Sequence, residues 1–160
     1  MDILKLADYF YKLSSLSFER AVVEFFSKYP RLEQFGCEIV EADYESDQEA
    51  TQRGDKILIF PKFWELDLGT QDFVMAHEIG HYFLGTVGGV GVIVDKLQEL
   101  GVDAWDVMSL PYGQMNMEEA FCDCFAVYFI NQEELVSRYP EWKLLIDKLM
   151  LSKDKSNNWE

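Results

Sequence analysis

Both histidines of this 160-residue chain fall in one apolar stretch, VMAHEIGHYFLG, Val74 to Gly85, four residues apart and with a glutamate directly after the first. In an α-helix, positions i and i+4 lie about 40° apart, so His77 and His81 stack on one face with their side chains pointing the same way. Phe73, Val74, Ala76, Ile79, Phe83 and Leu84 make the same helix apolar nearly all round, as expected of an element buried in a core. Burying two imidazoles and a carboxylate there is costly unless something binds them. Any fold open to this chain must place the helix inside and still bring polar partners to its histidine face.

The rest of the composition permits such an interior. Hydrophobic residues make up 49% of the chain and aromatic residues 15%, enough for the core of one domain without disulfides. The net charge of −15 is the wrong sign for direct nucleic-acid contact and suits basic partners instead. Cys37, Cys122 and Cys124 are odd in number, and two sit one residue apart in an apolar run; this is no secreted disulfide framework. The N-terminus lacks the apolar core and cleavage site of a signal peptide. No run approaches the roughly 18 apolar residues of a spanning helix. A soluble cytoplasmic protein, in contact with neither membrane nor nucleic acid, is expected.

Along the chain, residues 2–14 read as an amphipathic helix, and Ser17 as the cap of a second helix that ends before Pro30. CEIVEA alternates as a strand does, DYESDQEATQRGD reads as an acidic loop, and KILIF, Lys56 to Phe60, reads as a strand whose following Pro61 suggests an edge or a strand end. PKFWELDLG reads as an irregular connection. Thr70 is the expected cap of the histidine helix, and Gly85 its end. GTVGGVG is flexible loop chemistry without the strand–Gly-rich–helix arrangement of a phosphate site. A helix from Val92 to Leu100 is stopped by Gly101, LPYGQMN is a loop, and Asn116 caps the long helix MEEAFCDCFAVYFI. Helices over 132–139 and 141–153 follow, with Pro140 suited to a first turn. The expectation is an α+β fold, mostly helical with a small β-sheet near the middle, as one domain over residues 1–153 with a frayed tail over 154–160.

The histidine spacing carries specific chemistry. Two imidazoles on one helix face can converge on one ion at about 2.0–2.1 Å. Glu78, rotated by about 100° from His77, sits at the rim of that face, able to touch a water on the metal. This is the H-E-x-x-H geometry of zinc hydrolases, and nitrogen and oxygen donors in it favour zinc. A single core histidine with a satisfied hydrogen bond would explain one ring, not two at this spacing with a glutamate between. A catalytic zinc takes three protein ligands and keeps one position for water, so one ligand remains to be found. Glu119 and Asp123, i and i+4 in the second buried helix, are the candidates: Glu119 to reach the metal, Asp123 to accept the outer ring N–H of a ligand histidine and fix its tautomer. Glu119 could instead close a capping box with Asn116. Glu118 is available but has Cys122, not a carboxylate, at i+4. Cys122 itself could ligate as a thiolate, although buried cysteines are usually small hydrophobes.

HEIGHYFLG followed by EEAFCDCFAVYFINQEEL resembles the ImmA/IrrE family of metallopeptidases, whose members carry H-E-[LI]-G-H and then an E-x-x-A-N-x-F-A-A-x-L-L-M-P-like segment. Glu119 falls on that glutamate. Cys122 stands for the Ala and Asp123 for the Asn, Phe125 and Ala126 match, Phe129 and Ile130 take the two leucines, and Asn131-Gln132 replace Met-Pro. The likeness runs from about Lys56 to Leu135, with residues 92–113 resembling an insertion. Glu119 and Asp123 are also similar to the gluzincin pattern of thermolysin-like enzymes. The resemblance implies a zincin-like fold, a bound zinc and limited proteolysis, several relatives acting on repressors.

Together these readings give zinc held by His77, His81 and Glu119, with Glu78 taking a proton from water and passing it to the leaving amine of a peptide. A strand such as 56–60 is expected to pair with an extended protein or peptide substrate, a basic transcriptional repressor being one such partner. Tyr82, Tyr112 and Arg53 are candidates for holding the oxyanion. Two other classes remain open: a non-cleaving binding module or antirepressor, for which Glu78 has no evident use, and a metal held for stability alone by four protein ligands.

Overall fold

A computed structural model describes residues 17–102 and 110–157, the stretch after Leu151 by its backbone path only. The helix expected over 2–14 lies outside these residues. The described residues fall into two compact units, one up to Gln34 and one from Phe35 onward. In the first, helix α1 (residues 17–28) includes Ser17 itself. Its last turn packs the ring of Phe25 on Phe26 and Tyr29, and a 3-10 turn, Pro30–Phe35, follows where proline ends the helix.

The second unit holds three strands, β1 (Glu38–Glu41), β2 (Ala50–Arg53) and β3 (Lys56–Ile59), then α2 (Leu68–Val87), α3 (Val90–Glu99), α4 (Met117–Ile130), α5 (Gln132–Arg138) and α6 (Pro140–Asn157), with 3-10 turns at Pro61–Glu65 and Pro111–Gly113. It is a mostly helical α+β unit. Helix α6 carries residues 154–157, read from sequence as tail, to the end of its last turn. Among the described residues no helix is long and apolar enough to cross a membrane.

The sheet has the order β1-β3-β2, with β1 parallel and β2 antiparallel to β3. Two corrections follow. The acidic stretch read as a loop contains β2: its Thr51, Gln52 and Arg53 are polar because an edge strand needs little burial, and pairing with β3 sets them in register from Ala50↔Ile59 to Arg53↔Lys56. Gly54, at φ 60, opens the two-residue turn between them. And β3 is the central strand, not an edge. Its Ile57 and Ile59 are buried with the half-exposed Leu58 between them, the period of a pleated strand. Pro61 marks its end by starting a 3-10 turn.

Helix α2 starts earlier and runs longer than its sequence signals indicate. Asp67, not Thr70, is the cap: its carboxylate accepts the Thr70 N–H at 2.8 Å and the Thr70 hydroxyl at 3.0 Å. These bonds hold the exposed Asp67 carboxyl below its ordinary pKa. At the other end Gly88, at φ 117, turns the chain left-handed, and its N–H bonds to Leu84 O. Gly85 is therefore interior, and α3 begins inside the glycine-rich stretch.

Helix α4 begins as the sequence indicates. Asn116 Oδ1 accepts the N–H groups of Glu118 and Glu119 at 2.8 and 3.3 Å. From Ala120 to Tyr128 every residue of α4 is buried. It packs along α2, and Phe83 stacks on Phe121 and Phe125 while Phe35 lies against Phe83, Phe125 and Phe129. Helix α6 covers α3, α4 and α5. The Tyr128 hydroxyl donates to Asp147 Oδ1 at 2.6 Å, and Lys143 pairs with the same carboxylate.

Helices α2 and α4 come close together at Gly80. A Cβ there would stand 3.1 and 3.2 Å from ring atoms of Phe125 and 3.3 Å from the Cα of Cys122. Alanine at an interior helix position gains about 1 kcal/mol over glycine, while overpacking a tight core costs roughly 1–3 kcal/mol. Since one contact is backbone and cannot rotate away, the steric cost is expected to win. Gly80→Ala should lower unfolding stability by about 1 kcal/mol in a urea titration and Gly80→Val by more; a stabilised Gly80→Ala would show that the helices part at no cost.

Candidate metal centre

Helix α2 presents His77, Gly80 and His81 on one face. Helix α4 meets them with Glu119, Cys122 and Asp123, the same i, i+3, i+4 spacing on each side. The imidazole centroids are 5.0 Å apart. Nε2 of His77 lies 2.9 Å from Glu119 Oε2, and Nε2 of His81 lies 3.1 Å from Glu119 Oε1, so one carboxylate spans both rings. The Nδ1 atoms point the other way: His77 Nδ1 is 2.7 Å from Asp123 Oδ1 and His81 Nδ1 is 3.4 Å from Glu118 Oε1. An Nδ1–H donated to Asp123 leaves the Nε2 lone pair on the inner side, the orientation a metal ligand needs.

The structure thus gathers His77, His81, Glu119 and Asp123 as the sequence anticipates. Glu119 does not close a capping box. Asn116 caps its backbone N–H, while the Glu119 carboxylate turns to the histidines. One group, Gln114, goes beyond the sequence reading, and one alternative donor in that reading, Cys122, lies at the cluster. Gln114 Nε2–H donates to Asp123 Oδ2 at 2.8 Å, holding the carboxylate that holds His77; a glutamine in a polar loop carries no signal of that role. Cys122 Sγ and one ring nitrogen from each histidine all lie within 4.8 Å of one another, a grouping able to hold a metal ion.

Charge in this cluster is poorly solvated. Burial works against the charged form of His77, but the Asp123 hydrogen bond and the charges of Asp123, Glu78 and Glu119 outweigh it and raise its pKa. Burial raises the Glu78 carboxyl above its ordinary value, and Glu119 adds to this; the histidines and a hydrogen bond from the Gln52 backbone oppose it. Burial likewise raises the Cys122 thiol, with Glu119, Glu118, Glu78 and Asp123 pushing the same way. Carboxylates from Glu78, Glu118, Glu119 and Asp123 around two imidazoles leave an excess of negative charge that a divalent cation would offset. The donor set fits such an ion.

Of the three oxyanion candidates, Tyr112 packs its ring on Tyr139 beneath the Arg138 guanidinium. Tyr82 is half-buried and Arg53 exposed at the end of β2. Among the described residues, no hydrogen bond joins any of the three to the cluster. No family model, curated protein or solved structure matches the chain.

Asp123→Asn should weaken divalent-metal binding about 10–100-fold, read by competition with a chromogenic chelator; unchanged affinity would mean that Asp123 does not orient His77. Glu78 gives a pH test. A raised carboxyl pKa in the folded chain means the protonated form favours folding, so this contribution is full below the unfolded value near 4.3 and lost as pH rises through the folded value. With chelator present, Glu78→Gln should therefore resist urea better than the unaltered chain at pH 7. The gap should close on acidification to about pH 4, and equal midpoints at both pH values would show that ionised Glu78 is not costly.

Proposed function

We propose that this protein is a zinc-dependent metallopeptidase of the H-E-x-x-H kind, on a zincin-like fold resembling that of ImmA/IrrE proteins, which acts in the cytoplasm by limited proteolysis of a regulatory protein. The observation that supports it most is the opposed orientation of the two ring nitrogens. Both Nε2 atoms converge on Glu119 while both Nδ1 atoms face outer carboxylates, which is how metal-ligating histidines are braced.

His77, His81 and Glu119 would hold the zinc. When bound there it supplies Lewis acidity, drawing the pKa of water toward about 7 and polarising the scissile carbonyl. Glu78 takes the proton of the attacking water and delivers it to the leaving amine. Its raised pKa suits a group that must both accept and return a proton. The Gln52 backbone is near enough to the Glu78 carboxyl to oppose the rise in its pKa. Gln52 belongs to β2, at the edge of the sheet, so the base lies near a strand beside which an extended peptide would add. That role passes to β2 from the 56–60 segment, which is central. The net charge of −15 favours a basic substrate such as a repressor.

The test compares unaltered chain and Glu78→Gln, both loaded with zinc, on a peptide library read by mass spectrometry. Cleavage should fall about 10²–10⁴-fold in the variant while zinc content stays the same. Undiminished turnover would remove Glu78 as base. A bound basic partner recovered intact after long incubation with zinc-loaded chain would instead favour a non-cleaving antirepressor.

A further inference from the structure

Cys122 and Cys124 are both fully buried thiols on α4, yet their surroundings differ. About 200° apart around the helix, they face opposite sides. Cys124 lies near Tyr112, whereas Cys122 shares its face with Glu119 and Asp123 and lies within 4.8 Å of a nitrogen of each histidine. The usual reading of a buried cysteine, a small apolar filler, accounts for Cys124. It does not account for a sulfur set beside two imidazoles and a bridging carboxylate.

Gly80 explains how the sulfur comes to be there. It lies between His77 and His81 on the same face of α2 and has no side chain. The Cα of Cys122 sits 3.3 Å from where a Cβ would be. The backbone of α4 at Cys122 thereby comes close to α2, within reach of both rings for a side chain of this length. The two imidazoles and the sulfur make one mutually close group, the Glu119 carboxylate spans both Nε2 atoms, and a tetrahedral ion closed by protein takes four such donors.

Resting on the reading of this cluster as a zinc centre, we infer that Cys122 is a fourth protein donor, so that His77, His81, Glu119 and Cys122 together enclose the ion in the resting protein. Ligation breaks the S–H bond, sends its proton to solvent and forms a metal–sulfur bond in place of a metal–water bond, with no change of oxidation state. With four protein donors held, water would reach the ion only by displacing one of them or by expanding the shell to five, so Cys122 would restrict access to the centre.

X-ray absorption at the zinc edge of the unaltered, zinc-loaded full chain tests this. One sulfur scatterer at about 2.3 Å beside lighter atoms at about 2.0–2.1 Å is expected. It should vanish in Cys122→Ser and persist in Cys124→Ser. Metal affinity in Cys122→Ser should fall beyond the roughly 100-fold upper range for losing an outer partner. A shell of nitrogen and oxygen alone, or a sulfur that survives Cys122→Ser, overturns the inference and leaves the His77–His81–Glu119 centre standing. A chain that retains no zinc overturns both. The spectrum of the unaltered chain decides even if Cys122→Ser fails to fold.

Discussion

At Gly80 nothing stands between the two central helices, and the cluster depends on that contact. With a side chain there, α4 would ride farther from α2, and the histidines would lose the carboxylates that face them. The glycine costs about 1 kcal/mol of helix propensity. The contact it permits brings Phe83, Phe121 and Phe125 into stacked register, and burial of rings this size contributes several times that. The apolar packing therefore pulls the helices together, and the polar groups follow because they occupy the same faces.

That arrangement gathers acidic groups, Glu118 and Glu119 half-exposed and Asp123 buried, and local structure reduces the cost. Glu118 and Glu119 sit in the first turn of α4, where the helix dipole favours negative charge. Asn116 satisfies two of the exposed N–H groups of that turn. Asp123 lies deeper and meets its need with two partners, His77 and Gln114. Glu78 is largely buried, and burial with the nearby Glu119 raises its pKa against the opposing pull of the histidines and the Gln52 backbone. The result is an electronegative, half-enclosed site held by two helices and one strand edge.

What the sequence makes legible follows from periodicity. The pairs His77/His81 and Glu119/Asp123 each repeat at i and i+4, and a charged pair on an otherwise apolar helix has few places to point. Asn116 was legible because a cap residue sits at a sharp change from loop to apolar run. Strand β2 was not, since its Thr51-Gln52-Arg53 looks like loop and becomes a strand only through pairing with β3, a non-local contact. The cap of α2 lies three residues before Thr70 because Asp67 and Thr70 are both good caps, and only the bond between them shows which caps and which is capped. Gln114 had no local pattern at all; its meaning lies across the fold.

Gln114 also shows what the fold accepts to complete the cluster. It follows Tyr112 and Gly113, at φ 59 and 69. Gly113 adopts that conformation freely. For tyrosine it costs about 1–2 kcal/mol, and the Tyr112 hydroxyl is buried with no hydrogen-bond partner among the described residues. Its backbone N–H donates to the Tyr139 hydroxyl at 3.2 Å, and the Arg138 guanidinium lies over both rings, 5.1 and 5.4 Å from their centroids. These contacts, from the end of α5 and the residue after it, hold a turn that its own residues would not choose. The consequence of the turn is that the Gln114 amide arrives 2.8 Å from Asp123. Strain in the loop is thus balanced by aromatic and cationic packing on one side. On the other it is used to immobilise a carboxylate that fixes the ring of His77.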